Sequence, residues 1–368
     1  MRIVCSRDNL IEGVNIVLKA VPSKTTMPIL QSILIDCNNS RIKLMANDME
    51  LGIETIIDGE IIERGMIAID AKFFSDMVRK LPDGFITIES DSSMKTSIIC
   101  SQTNFYLPAK SGDDFPYIDH LEKNNCIILS QYTLKEIIRQ TVFSLSDNEN
   151  NKIMTGELFK VTGDTLMAIA LDGHRISVRN VKLNDSYEDK KIIIPGKTLN
   201  EISKILTGNP DSEVKIYIEE SSVMFEFDNT VVISRLIEGE YFDVNKMITD
   251  NYSTRVLINK IDFLNCIDRA NLLVKEGEKK PIVINITEEN AEIKINSAYG
   301  AFDENISISK TGENLMIGFN PKFIMDVLKV IDEEDITIYL MGPKSPCFIR
   351  DEEKSYVYII LPVNFNSN

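Results

Sequence analysis

The chain has 368 residues, 43% of them hydrophobic and 26% charged, a composition typical of globular proteins and a length that suits two or three domains. The net charge of −16 carries no overall footprint of nucleic-acid binding, and no apolar run reaches the roughly 20 residues needed for a membrane span. The six cysteines (Cys5, Cys37, Cys100, Cys126, Cys266 and Cys347) include no metal-type pair and follow no secretory signal, so reduced thiols in a cytosolic protein are expected.

In chain order, Met1 to Ser6 reads as a strand. Ser6 or Asp8 can cap a helix whose apolar positions Leu10, Ile11, Val14, Val17 and Leu18 form one stripe, ended by Pro22. β-Branched alternation then predicts strands over 29–35, 42–45 and 51–57. A helix from Lys72 to Leu81 follows Ile67-Ala-Ile-Asp70, a strand follows at 85–89, and this unit exits through Asp113-Asp-Phe-Pro-Tyr117. The order then recurs. Ser130 caps a helix over 133–141, strands are predicted at 156–161, 165–170 and 176–179, and a helix runs from Lys197 to Leu206. A strand at 214–218 follows, and Gly239-Glu-Tyr-Phe-Asp243 parallels the first exit. The last part has helices from Asn259 to Ala270 and from Lys322 to Ile331, with strands at 282–286, 291–295, 336–340 and 356–363.

The recurrence is regular. Lys72, Lys197 and Lys322 open equivalent helices at intervals of 125 residues, and Asp48 and Asp172 stand 124 apart, each just past a strand. A period this long marks whole repeated domains rather than solenoid units. The expected fold class is therefore α+β, with three tandem repeats of a two-helix, roughly eight-strand domain, over residues 1–122, 123–248 and 249–368. The linkers, Tyr117 to Cys126 and Val244 to Thr254, are short and lack Gly/Ser-rich composition, so the repeats are expected to pack rather than swing.

The six predicted helices carry a net charge of +6, leaving −22 for strands and loops. Such a split suits a face held for a polyanion, and it is also what the helix-forming tendency of lysine alone produces. Catalytic signatures are absent. There are only two histidines, His120 and His174, and no metal-protease, phosphate-loop or nucleophile-elbow motif. Asp172-Gly-His-Arg175 is the one candidate constellation, but side chains of sequence neighbours usually diverge and no nucleophile accompanies them, so a contact role for His174 is preferred. The acidic pairs Asp113-Asp114, Glu333-Glu334 and Glu352-Glu353 read as solvated turns, and no ligand cluster implies a metal or a cofactor.

Met27-Pro-Ile-Leu30, Asn47-Asp-Met-Glu50, Asp114-Phe-Pro116, Leu171-Asp-Gly-His-Arg-Ile176 and Tyr356-Val-Tyr-Ile-Ile-Leu-Pro-Val363, set in the triple repeat, resemble the bacterial sliding clamp family, the DNA polymerase III beta subunit, along the whole chain. The resemblance implies the DNA clamp fold and a head-to-tail homodimeric ring, with helices lining the pore and sheets outside. It implies a non-catalytic processivity factor that encircles duplex DNA without reading sequence, which fits a mildly basic lining whose phosphate contacts carry no base information. Implied partners are the DNA polymerase III alpha subunit, the clamp loader delta subunit and other replication and repair proteins carrying a clamp-binding motif, in the cytoplasm at the nucleoid. No cofactor, metal or membrane is implied.

Residue by residue, the resemblance places the peptide-motif pocket at Met154, Leu171, Gly173, His174, Arg175, Ile176, Phe242, Met247, Asn320, Phe323, Ile360, Leu361, Pro362 and Val363. It places Lys24, Asn148 and Lys197 against DNA, to which the basic helix positions Lys72, Arg79, Lys80 and Lys204 are added. Phe105 and Leu107 on one side, and Leu272 and Leu273 on the other, correspond to the dimer interface; as ordinary core residues they need no partner. This chain departs from many members at Phe242, where proline is common, and at Asn364, where a basic residue is common. The competing readings are an enzyme built on Asp172 and His174, and a monomeric peptide-binding scaffold without a DNA function.

Overall fold

The structure, a computed structural model, describes residues 1–275 and 280–365. Among them are six α-helices: α1 (Arg7–Val17), α2 (Ala71–Lys80), α3 (Gln131–Thr141), α4 (Gly196–Ile205), α5 (Lys260–Asn271) and α6 (Pro321–Leu328). Five of these starts are set by side-chain caps. Ser6 Oγ accepts from Asn9 N, Asp70 from Phe73 N, Ser130 Oγ from Thr133 N, Asn259 from Ile261 and Asp262 N, and Asn320 from Lys322 N. Ser6 rather than Asp8 therefore caps the first helix.

The chain forms two compact units, Met1–Leu134 with Asn200–Leu236, and Lys135–Leu199 with Ile237–Asn368. In the first, a nine-stranded antiparallel sheet runs through strands 110–111, 66–70, 32–36, 42–47, 51–57, 230–235, 222–227, 213–218 and 127–130. The middle pair joins the first repeat to the second, with Thr55 opposite Thr230 and their hydroxyls 2.9 Å apart. A five-stranded sheet, in the order 59–63, 2–6, 85–90, 95–100, 103–108, completes this unit. Pro28 lacks the N–H that a strand ladder needs, so residues 28–31 form a 3₁₀ turn and the strand expected from 29 begins at Ser32.

The second unit has a seven-stranded sheet in the order 156–171, 175–195, 356–360, 347–350, 335–340, 254–259, 309–312, and a four-stranded sheet in the order 300–307, 290–297, 282–286, 315–319. The Tyr241 hydroxyl lies 3.1 Å from Gly156 O and 3.0 Å from Ile169 O. A straight strand would hold those carbonyls about 40 Å apart, so the extended run Gly156–Leu171 doubles back, and the register shifts around Gly163, whose φ is +57°.

The repeat is visible in the cores. Leu34, Met45, Ala68 and Phe115 form one cluster in the first unit. Their counterparts 124 to 126 residues on, Leu158, Ile169, Ile193 and Tyr241, share one cluster in the second. Burial pushes the Cys5, Cys37, Cys266 and Cys347 thiols up to about 12, so these sulfurs stay protonated and unreactive at neutral pH.

Candidate functional site

The Asp172 turn forms the centre of the site in the second unit. Asp172 Oδ1 accepts from His174 N at 2.9 Å and from Arg175 N at 3.0 Å, and Asp172 N donates to Arg175 O at 3.3 Å. Gly173 takes φ +86° at the apex, and no atom lies within 4 Å of where its Cβ would stand. The strand that leaves the turn pairs Arg175 with Ile360 and Ile176 with Ile359. Leu361 N donates to His174 O at 2.9 Å, bringing the C-terminal segment against the turn.

Arg175 is buried and its donors are committed inside the fold. Nε lies 3.0 Å from Asp172 Oδ2, Nη1 lies 2.6 Å from Asp326 Oδ2 on α6, and Nη2 donates to Phe143 O. Its guanidinium sits over the Phe323 ring, 4.5 Å from the centroid, and 5.4 Å from that of Phe143. The exposed His174 ring stacks on Phe323 at 6.1 Å with 23° between planes. Arg175 thus works as a keystone under the site, while His174 and Phe323 form its surface. Asp172 spends its oxygens on main-chain N–H groups and Arg175, so it does not orient the imidazole, and the constellation has no acid–base pair.

The remaining pocket residues gather around this centre. Leu171 and Ile176 belong to the cluster that includes Tyr241 and Val244, with Met154 and Ile248 packed on it. Phe242 and Met247, flanking Val244, are exposed apolar side chains on the segment which that cluster anchors. Asn320 caps the helix that carries Phe323 and Asp326. Leu361, Pro362 and Val363 are half-buried, and Val363 N donates to Gly318 O at 2.8 Å. Phe143 and Asp326 were missed by sequence reasoning. Asp326 lies on the helix predicted from Lys322, but its long-range partner is not legible in the sequence.

The first repeat builds the same turn in the first unit. Asp48 Oδ1 accepts from Glu50 N at 3.0 Å and from Leu51 N at 2.7 Å, Met49 takes φ +75°, and Arg235 N donates to Glu50 O at 2.9 Å. Here the surface is covered by the chain's own exit segment. Asn47 Nδ2 donates to Pro116 O at 2.7 Å, and Ile118 Cδ1 lies 2.7 Å from where a Cβ on Gly52 would stand. His120 Nε2 lies 3.0 Å from Glu54 Oε1. Burial raises the Glu54 carboxyl, but His120 and Lys43 outweigh it and hold the group below its ordinary range.

Of the basic positions, Lys24, Lys72, Arg79 and Lys80 are exposed in the first unit, and Lys72 and Arg79 border a cleft of about 550 Å³ between α2 and the 18–23 turn. Arg79 donates to Asn15 Oδ1 at 2.8 Å, and Lys204 pairs with Glu201 at 2.8 Å. In the second unit, Lys197 and Asn148 are exposed. The four expected interface residues divide. Phe105 is half-buried and Leu107 buried on the edge strand Thr103–Pro108, while Tyr106 between them is 79% exposed. Leu272 is 82% exposed, whereas Leu273 packs on the third-repeat core.

Among the described residues no group of three or more His, Cys, Asp or Glu could hold a metal ion, and no helix is long and apolar enough to cross a membrane. Three family models match in succession: the DNA polymerase III beta subunit N-terminal domain over residues 1–119, its central domain over 128–243 and its C-terminal domain over 245–364. The beta sliding clamp of Bacillus subtilis is 36% identical over 377 residues, and that of Staphylococcus epidermidis 34% over 374, each alignment covering 99% of both chains. A putative DNA polymerase III beta subunit from Eubacterium rectale has a crystal structure that superposes with a TM-score of 0.96 at 58% identity, covering 99% of this chain and 100% of the other. The Bacillus subtilis clamp structure superposes at 0.96 and 35%, covering 100% of both. A Pseudomonas aeruginosa clamp bound to griselimycin shares the fold at 0.93 and 23%, covering 99% of this chain and 100% of that one. The chain belongs to the DNA polymerase III beta subunit family and has its three-domain clamp fold, that of the non-catalytic processivity clamp of the replicative DNA polymerase.

Proposed function

We propose that two copies of the chain close head to tail into a ring around duplex DNA, helices inward and sheets outward. The Asp172 turn then forms the floor of a groove that takes short peptide motifs from the polymerase III alpha subunit, the clamp loader delta subunit and repair proteins. The three clamp domains divide within the linkers, at 122/123 and 248/249, and the protein acts in the cytoplasm at the nucleoid. The observation that carries the ring is apolar exposure beside open sheet edges. Leu272 at 82% and Tyr106 at 79% stand in water, and strands Thr103–Pro108 and Gly300–Ser307 are the edges of their sheets among the described residues. An edge left open in this way invites pairing with another chain.

The helix charge of +6 against −22 elsewhere supports a lining that attracts phosphates without gripping them. His174 stacked on Phe323, with apolar Leu361, Pro362 and Val363 alongside, suits a peptide that buries two or three apolar anchors. At about 1.5–3 kcal/mol per anchor before association costs, affinity comes out roughly micromolar, which allows partners to exchange. Griselimycin, bound by the Pseudomonas relative, is a ready probe of the groove.

The test is retention on nicked circular DNA after loading by a bacterial clamp loader. Retention that is lost when the circle is cut is expected. Equal retention on circle and linear DNA means ordinary electrostatic binding and removes the ring, as does a one-subunit mass in solution.

A further inference from the structure

After Ile360 the chain leaves the seven-stranded sheet and crosses to the four-stranded one. Two main-chain bonds guide the crossing: Leu361 N to His174 O at 2.9 Å and Val363 N to Gly318 O at 2.8 Å. Pro362 between them has no N–H to give. The next anchor is a side chain. A Cβ on Gly318 would stand 2.6 Å from Phe365 Cδ1 and 2.7 Å from Val363 O, so the Phe365 ring rests directly on the Gly318 backbone.

The middle repeat makes the equivalent main-chain bond without a glycine. There Ile237 N donates to Ile193 O at 2.9 Å, the equivalent bond, with a full side chain at the position of Gly318. The residue equivalent to Phe365, two places after Ile237, is Gly239. Large and small are exchanged between these two repeats, and among the described residues the ring seated over a bare backbone at this position belongs to the last repeat.

We infer that Phe365 is a positioning residue for the peptide groove: its ring on Gly318 holds Leu361, Pro362 and Val363 against the His174 turn, so that a ligand meets a wall already in place. This rests on the reading of the groove as a peptide site. Without the ring the wall is in place only part of the time, and apparent affinity falls by that fraction.

The test uses the full-length dimer, a fluorescein-labelled clamp-binding peptide from the same organism's polymerase III alpha subunit, and griselimycin as competitor. Phe365→Ala is expected to raise Kd about tenfold, a wall present roughly a tenth of the time, with the melting temperature unchanged. Phe365→Leu, which keeps an apolar group on Gly318, restores most of the affinity. The chain has no tryptophan, so Phe365→Trp supplies a single indole, excited selectively over the tyrosines. Its emission is expected to be blue-shifted, and to move to that of solvent-exposed indole when Gly318→Val is added. A wild-type Kd for Phe365→Ala, or solvent-like emission from Phe365→Trp alone, overturns the inference and leaves the groove standing. Failure of the wild-type protein to bind either probe overturns the groove and the inference together.

Discussion

Replacing Glu157 with glutamine should make the second unit more stable, and more so as pH rises. Glu157 is fully buried, and burial pushes its carboxyl up to about 8. The geometry agrees with a protonated group. Thr141 Oγ1 lies 2.6 Å from Ile137 O and 2.7 Å from Glu157 Oε1. Its single hydrogen goes to the carbonyl, which can only accept, so the carboxyl must supply the hydrogen for the other contact. Glu157 Oε2 has no partner, which would be costly for a charged oxygen.

The unfolded chain loses this proton near 4.5 and the folded chain near 8. The contribution is therefore complete below the lower value, declines between the two, and is spent above the upper one. At about 1.4 kcal/mol per pH unit, the full decline is up to roughly 5 kcal/mol, most of it incurred by neutral pH. Glutamine keeps the shape, donates to Thr141 and does not titrate. Urea denaturation of Glu157→Gln and wild type at about pH 5, 7 and 9, followed by a probe in the second unit, should show a gap that widens with pH. Parallel curves at all three values would refute the reasoning, because an ionised Glu157 would then be tolerated at no cost. The strand run that holds Glu157 also carries Leu171, so peptide affinity of the wild type should weaken over the same window.

Two further outcomes follow from the same structure. Arg175→Ala strands Asp172 and Asp326, and should cost about 3–5 kcal/mol of stability. Arg175→Met combined with Asp326→Asn should recover part of that loss, and strict additivity in this double-mutant cycle would remove the keystone role. Leu272→Asp should convert the dimer to monomer by sedimentation with little change in melting temperature, whereas Leu273→Asp should lower the melting temperature, because only Leu273 packs on the core. An intact dimer for Leu272→Asp would count against the proposed interface.

The two copies of the turn differ in what covers them. At the second copy Gly173 faces open space, and His174 and Phe323 form a surface. At the first copy Met49 bears the positive φ, and Ile118 lies over Gly52, so the exit segment covers the turn. Both turns were legible as Asp48 and Asp172 at an interval of 124, because a hydrogen-bonded Asp turn is local. Which of the two is open depends on where the exit segment lies, about 70 residues further on, and no local pattern encodes that.

Features that depend on near neighbours can be read along the chain. Helical stripes located the six α-helices of the described residues, alternation located about half of the described strands, and the lysines at intervals of 125 gave the three repeats. The sequence motifs were enough to place the chain among sliding clamps. The rest emerges when distant segments pack. Packing sank Arg175 onto Asp326, 151 residues away, and so made a keystone of a residue that reads as a ligand contact. It separated Leu272 from Leu273, buried Glu157 without an ionic partner, and drew the compact units across the middle repeat, because sheet pairing at 51–57 with 230–235 and at 175–179 with 356–360 ignores the repeat boundaries. Burial and partnership are properties of surfaces brought together from distant segments, and a side chain's identity fixes what it can do but not whom it meets.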